Sequence, residues 1–342
     1  MSKNIFSAVL ILFLVNNILE NSVWAQSGYV TLSQVKTRAV AMGGAYSAVG
    51  DNLAACIYNP ATFEEYEFPK DFRITFYLNP FAPLVSLYGK QSEKAASESN
   101  QVKYSHAAGL LVKGITGTFR NFLVGIVFNE ESVANRLLNY RKQFFAAESH
   151  WQDYSHIVTL RLKLAPQVAL GVSTSFYSID SAAGKSWYVD TSYGVLLRPD
   201  EKLNVGVFYV ALPEGLENHR QLVERLSNDS INIGLAYYPR KSTIISLDLR
   251  NINDEGDDNA IQPHVGIEQK FQPWLALRGG FYRQKNGAQT FSTGVGIISN
   301  EIFHKKKNRF KNNQFMINYT YLVQSKNSIK TNWHFFSFNV RI

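Results

Sequence analysis

The sequence predicts an all-β fold: a transmembrane antiparallel β-barrel of about fourteen strands behind a small N-terminal plug segment. Three observations predict it. The chain opens on an export signal, its bulk alternates apolar and polar residues with period two, and the connections between alternating segments are short and long by turns.

The export signal comes first. Lys3 supplies a positive start, Ile5 to Val15 reads IFSAVLILFLV, and Val23-Trp24-Ala25 offers a cleavage site before Gln26, so residues 1–25 are expected to be removed. The apolar run is shorter than the roughly 20 residues that a spanning helix needs. No cysteine follows the cleavage site to carry a lipid anchor, and Cys56, the single cysteine, cannot form an internal disulfide. Hydrophobic residues make up 45% of the chain and aromatics 13%, which excludes a disordered chain. The net charge of +8 is spread along the sequence, with one dense cluster at Lys305-Lys306-Lys307, Arg309 and Lys311. In an exported chain that cluster reads as a solvated basic loop, and no nucleic-acid partner is expected.

Residues 26–70 form the next unit. Thr37 to Asp51 reads TRAVAMGGAYSAVGD, and Asn59-Pro60-Ala61 follows after AACIY. Small residues at Ala39, Ala41, Gly43, Gly44, Ala45, Ser47 and Ala48 let this backbone pass close to other structure. Pro60 disfavours helix at Asn59 and ends the apolar run there. No membrane-strand alternation is read here, so the segment is expected to pack as a plug.

Residues 71–342 carry the barrel. Alternation is clearest at Ser230 to Tyr238, where Ile231, Ile233, Leu235 and Tyr237 share one face and Ser230, Asn232, Gly234 and Ala236 the other. The same pattern places strands near 72–78, 102–113, 118–128, 154–165, 167–178, 185–198, 201–212, 229–239, 242–251, 260–271, 274–283, 290–299, 313–323 and 332–342. Pro80 and Pro83 favour a loop over a further short strand at 83–89. Tight turns at Ala165-Pro166, Arg198-Pro199-Asp200, Pro239 and Gln272-Pro273 alternate with longer connections at 129–153, 179–184, 213–228, 252–259 and 284–289. That is the rhythm of periplasmic turns and external loops; the long connection 300–312 breaks it. Charges on the polar faces, among them Arg161, Lys163, Asp190, Asp248, Arg250 and Glu268, are expected in the lumen, with Arg73, Lys103, Arg198, Lys270 and Arg278 beside them. The apolar faces would meet lipid, and closure would satisfy every backbone group. The last strand, with His334, Phe336, Phe338, Val340 and Ile342 on one face, resembles the C-terminal signal of outer-membrane assembly.

The run Arg38-Ala39, Met42-Gly43-Gly44-Ala45-Tyr46, Ala48 and Asp51, followed by Asn59-Pro60-Ala61 and placed before the first strand of an exported barrel, resembles the FadL-type outer-membrane transporters. It also resembles their shorter PorV/PorQ-type relatives. The resemblance rests on Arg38 to Ala61; the remainder is similar in architecture. It implies a fourteen-stranded barrel whose N-terminal segment is a hatch, with Arg38, Gly43, Gly44, Asp51, Asn59, Pro60 and Ala61 as its motif. In the first branch it implies hydrophobic solutes of the long-chain fatty acid kind, bound near the outside and released through an opening in the wall. In the second it implies a partner or cargo shuttle of type IX protein secretion. The chain is shorter than typical fatty acid transporters and its external loops are modest.

Catalysis is not expected. The seven histidines are scattered without His-x-x-x-His or Glu-x-x-His spacing, and no G-x-S-x-G elbow occurs, so neither a metal nor a cofactor is assigned. The acidic stretch Asn251 to Asn259 does not follow the order of a calcium loop and reads as solvated. Two amphipathic stretches, Glu131 to Ala147 and Glu217 to Ser227, are expected as helices on the outer rim.

Overall fold

The structure, a computed structural model, describes residues 27–31, 34–64, 72–89, 100–131, 135–136, 154–181, 184–211, 230–252, 261–284, 287–299, 314–326 and 329–342. Expectations for the signal peptide, the rim stretches, the acidic stretch and the basic cluster fall almost wholly outside these residues.

The elements in chain order are β1 (Ser27–Thr31), α1 (Thr37–Ala41), β2 (Arg73–Leu78), α2 (Phe81–Gly89), α3 (Asn100–Gly109), β3 (Val112–Phe119), β4 (Phe122–Glu131) and β5 (Asn135–Arg136). There follow β6 (Tyr154–Ala165), β7 (Val168–Ser181), β8 (Gly184–Leu197), β9 (Leu203–Ala211), β10 (Ser230–Arg240), β11 (Thr243–Arg250), β12 (Gln262–Gln272), β13 (Leu275–Arg283), β14 (Gln289–Ser299), β15 (Gln314–Lys326) and β16 (Ile329–Arg341). Two 3-10 turns, Leu53–Cys56 and Pro60–Thr62, complete the N-terminal segment.

Fourteen strands, β2 to β4 and β6 to β16, pair antiparallel in sequence order. The ring closes where β16 pairs with β15 along its length and with β2 at Val340↔Leu78 and Arg341↔Tyr77. Phe76 and Ile342 exchange two further backbone hydrogen bonds of 2.9 Å. Closure leaves no open edge at the ends of the sheet, which a hydrocarbon environment requires. Along β11 the alternation is strict: Ile245, Leu247 and Leu249 are exposed, while Ser246, Asp248 and Arg250 are buried. The barrel is thus apolar outside and polar inside, the arrangement of a membrane-spanning barrel.

One part of the wall is irregular. Beyond the two residues paired with β2, the edge of β16 is covered by β1, which runs parallel to it from Ser27↔Thr331 to Thr31↔Phe335. The other edge of β1 pairs with β5 at Tyr29↔Arg136 and Val30↔Asn135. Here the wall runs β16–β1–β5, and a segment from the N-terminus stands in for the short β2 and β3. Helix α2 lies against this seam from outside: the Phe81 ring meets the Phe338 ring edge-on at 4.6 Å. Ala82 and Ser86 are buried, one turn apart, and Phe81, Leu84 and Leu87 are exposed. Asn79 starts the helix by accepting from the Phe81 and Ala82 amides, each at 3.2 Å.

Several sequence expectations are corrected. The strand placed at 102–113 is α3 as far as Gly109, because Ala107 and Leu110 are buried at helical rather than strand spacing. That also places Lys103 on a helix. The strand expected at 118–128 is two strands, divided at Arg120-Asn121 with Phe119 paired to Phe122. Arg120 takes a left-handed φ of 52°, so the turn carries no glycine or proline to announce it. The count of fourteen survives because one strand is lost and one gained. The loop read at 83–89 is part of α2, and residues 27–31, read as strandless, form β1. The connection expected at 179–184 belongs mostly to strands, since β7 and β8 pair out to Ser181↔Gly184.

Candidate functional site

Residues 34–64 pack on the inner faces of the strands, and their charged and small residues determine how. Arg38, projecting from α1, donates from Nε and Nη2 to the two carboxylate oxygens of Glu268 on β12, at 2.7 and 2.9 Å. Arg278 of β13 donates to the same carboxylate at 2.6 Å. The Arg38 Nη1 also pairs with Asp51 at 3.3 Å, and the Tyr46 hydroxyl donates to Asp51 at 2.5 Å. Two-pronged guanidinium–carboxylate contacts are directional as well as strong, so they fix the orientation of the segment.

A second anchor is Asp248 on β11. Its Oδ2 accepts from the Tyr46 amide and the Ser47 amide, both at 2.9 Å, and from the Ser47 hydroxyl at 2.5 Å. Two residues on, Arg250 donates to the Gly44 carbonyl and lies over the Tyr58 ring at 5.3 Å. His264 Nδ1 stands 2.6 Å from the Gly43 carbonyl, which can only accept, so the proton is on Nδ1. Gly43 and Gly44 have φ of 62° and 69°. The left-handed turn they make presents both carbonyls to the wall, and a side chain there would be strained.

The Asn59-Pro60-Ala61 corner has its own contacts. The Asn59 side chain accepts from the Ala61 amide at 3.0 Å and donates to the Ser47 carbonyl at 2.7 Å, tying the two halves of the motif together. Pro60 opens a 3-10 turn where no amide is needed. Arg161 of β6 donates to the Ala61 carbonyl at 2.9 Å, and the Glu64 carboxylate pairs with Arg198. Asp190 is buried and Lys163 half-buried on the inner face.

Contacts of this kind go all the way round. Beyond those above, Thr320 of β15 donates to the Thr37 carbonyl, Ser173 of β7 to that of Cys56 and Asn204 of β9 to that of Ala48. The Gly43 amide donates to Ser292 of β14, and the Val35 amide donates to Glu130 of β4, which also pairs with Lys113 of β3 at 2.8 Å. Val40 packs in a cluster with Trp333 and Phe335 of β16, and Leu53 in one with Tyr77 of β2.

The wall accommodates this closeness with glycines, which inspection of the sequence did not single out. A Cβ on Gly280 would stand 1.9 Å from the Gly43 amide nitrogen; on Gly206, 2.0 Å from the Ser47 carbonyl oxygen; on Gly171, 2.3 Å from the Ala61 nitrogen. Gly114, Gly125, Gly194, Gly234, Gly266 and Gly294 meet the segment likewise. These residues form a girdle on the polar face of nine strands. Its trace in the sequence is a glycine recurring on the inward parity of strand after strand.

Glu268, Arg278 and Arg341 also line a cavity of about 270 Å³ between the segment and the ends of β12, β15, β16 and β2. Among the described residues, no group of three or more His, Cys, Asp or Glu is placed to hold a metal ion.

No family model and no curated protein matches the chain. Among solved structures it is similar to the toluene transporter TodX of Pseudomonas putida, with a TM-score of 0.43 and 10% identity over 91% of this chain and 97% of that one. It is also similar to a triple mutant of Rhodopseudomonas blastica porin, with a TM-score of 0.36 and 13% identity over 67% of this chain and 75% of that one.

Proposed function

We propose that this chain is an outer-membrane channel for hydrophobic solutes, closed by residues 34–64 acting as a hatch. The observation that carries the reading is the seam in the wall. An open water-filled pore would serve hydrophilic solutes; here polar contacts tie the hatch to the inner wall, which suits a passage that is not a permanent aqueous pore. An apolar solute gains by leaving toward lipid, since burial from water is worth about 25 cal/mol per Å². The weakest stretch of wall to cross is the one where β16 meets β1 instead of a full-length neighbour. Parallel pairing is slightly less stable per residue than antiparallel, and β1 is continuous in sequence with the hatch, so movement of one would be felt by the other. Solutes of the long-chain fatty acid kind fit this route, and toluene is what one architectural neighbour is named for transporting.

The test is a reversible staple across the seam. In a Cys56→Ser background, Gly28→Cys and Asn332→Cys place two thiols on paired positions. Oxidation should abolish uptake of labelled oleate by cells expressing the protein, and reductant should restore it. Equal uptake in both states contradicts a route through the seam. Absence of uptake by the unmodified protein, together with loss of protein secretion when the chain is deleted, would instead favour a role as partner of secretion proteins.

A further inference from the structure

The cavity beside the Arg38–Glu268 pair points to a second binding site, independent of passage through the seam. We propose that it binds a small organic carboxylate carrying an apolar group. Its position is set by Lys270, near the end of β12, Met316, near the start of β15, and Arg341, the last residue of β16. It therefore sits at the end of the barrel that carries the tight turns and the C-terminus, beneath the hatch.

Charge selects the ligand class. Among the described residues, four cationic side chains line the cavity, Arg38, Lys270, Arg278 and Arg341, against three acids, Asp51, Glu64 and Glu268. Each acid is already engaged: Glu268 by Arg38 and Arg278, Asp51 by Arg38 and Tyr46, Glu64 by Arg198 from outside the lining. Arg38 and Arg278 are in turn held by these acids, so the described lining keeps a surplus of one positive charge, and low-dielectric walls concentrate such a field on whatever enters. Arg341 and Arg278 are buried and Lys270 is half-buried, so the guanidinium groups are held rather than free to turn into bulk water.

Shape and apolar lining select the rest. Val35, Leu53, Tyr77 and Met316 form an apolar side to the cavity. An apolar cavity of about 150 Å³ already holds benzene, so 270 Å³ admits a ring or short chain together with its carboxylate. Inorganic anions would satisfy the charge and leave the apolar side unfilled. Neutral alcohols would do the reverse.

Benzoate, benzyl alcohol and inorganic phosphate separate these cases. Titrated calorimetrically into the full-length mature protein in detergent, benzoate should bind saturably, at least tenfold more tightly than benzyl alcohol or phosphate. Lys270→Gln should weaken benzoate at least fivefold and leave benzyl alcohol unchanged. Arg341→Gln should do the same, and because Arg341 is buried, Lys270→Gln provides the variant least able to disturb folding. The proposal is overturned by no saturable benzoate binding, by benzyl alcohol or phosphate binding as tightly as benzoate, or by unchanged benzoate affinity in Lys270→Gln. Oleate uptake through the seam is read separately, so either idea can fail alone.

Discussion

Asp248 accepts three hydrogen bonds from Tyr46 and Ser47 through one oxygen, and Glu268 receives two arginines, one from each side of the hatch boundary. Their removal has different consequences. Asp248→Ala leaves three buried donors without their acceptor, each costing about 1–3 kcal/mol if it stays dry. Glu268→Ala leaves two guanidinium groups facing each other, and breaking a buried pair from one side costs about 3–5 kcal/mol. Both variants should release the hatch while the barrel persists: trypsin should cut after Arg38 in folded protein, where the wild type is protected. Continued protection in both would contradict their role as anchors. The girdle makes a matching prediction. Gly280→Val sets three carbons against the Gly43 backbone, which cannot yield as a flexible side chain would. It should lower assembly or expose Arg38 to trypsin. Gly117→Ala, whose added carbon meets only the Phe72 ring at 3.9 Å, should behave as wild type.

Elements were legible in proportion to how much of each face met a uniform environment. Strands β10 to β14 run between lipid and a polar lumen, so the period-two pattern holds through most of each strand, with register shifts at Tyr237–Arg240 and Lys270–Gln272, and their bounds fall within a few residues of expectation. The region around β2 and β3 was misread because both faces change character there. Helix α2 shows its apolar side outward toward Phe338 and beyond, so a rule that buries apolar residues in protein finds no helix. The Arg120-Asn121 turn left no glycine or proline, and β1 is a strand only because β16 lacks a full neighbour. Motif residues Arg38, Gly43, Gly44, Asn59, Pro60 and Ala61 were visible as a pattern. Ser292, which accepts from the Gly43 amide, was not, nor were Thr320 and Glu130, which hold Thr37 and Val35 beside the motif, since a single polar residue on a lumen face is ordinary. The C-terminal strand gives the prediction at this scale. Phe338→Asp places a charge on the outer face beside Phe81 and Phe315, at a cost of up to about 2–4 kcal/mol depending on depth. Heat-modifiable gel mobility should fall sharply for this variant, whereas Ser337→Ala, on the inner face, should keep it.

At the scale of the whole molecule, the barrel is a membrane-spanning wall and residues 34–64 are the proposed hatch, joined through hydrogen bonds and ion pairs instead of one continuous apolar interface. Such an interface can be opened by exchange of hydrogen bonds with water, which costs little net free energy per bond, and that suits a closure meant to move. The direct test removes the hatch. A chain lacking residues 34–64, with residues 1–33 and every strand kept, should still assemble and should conduct in planar bilayers as a large, steady pore, against little or no steady current for the intact protein. If the shortened chain assembles with heat-modifiable mobility and its conductance matches that of the intact protein, residues 34–64 do not close the channel and the account is wrong.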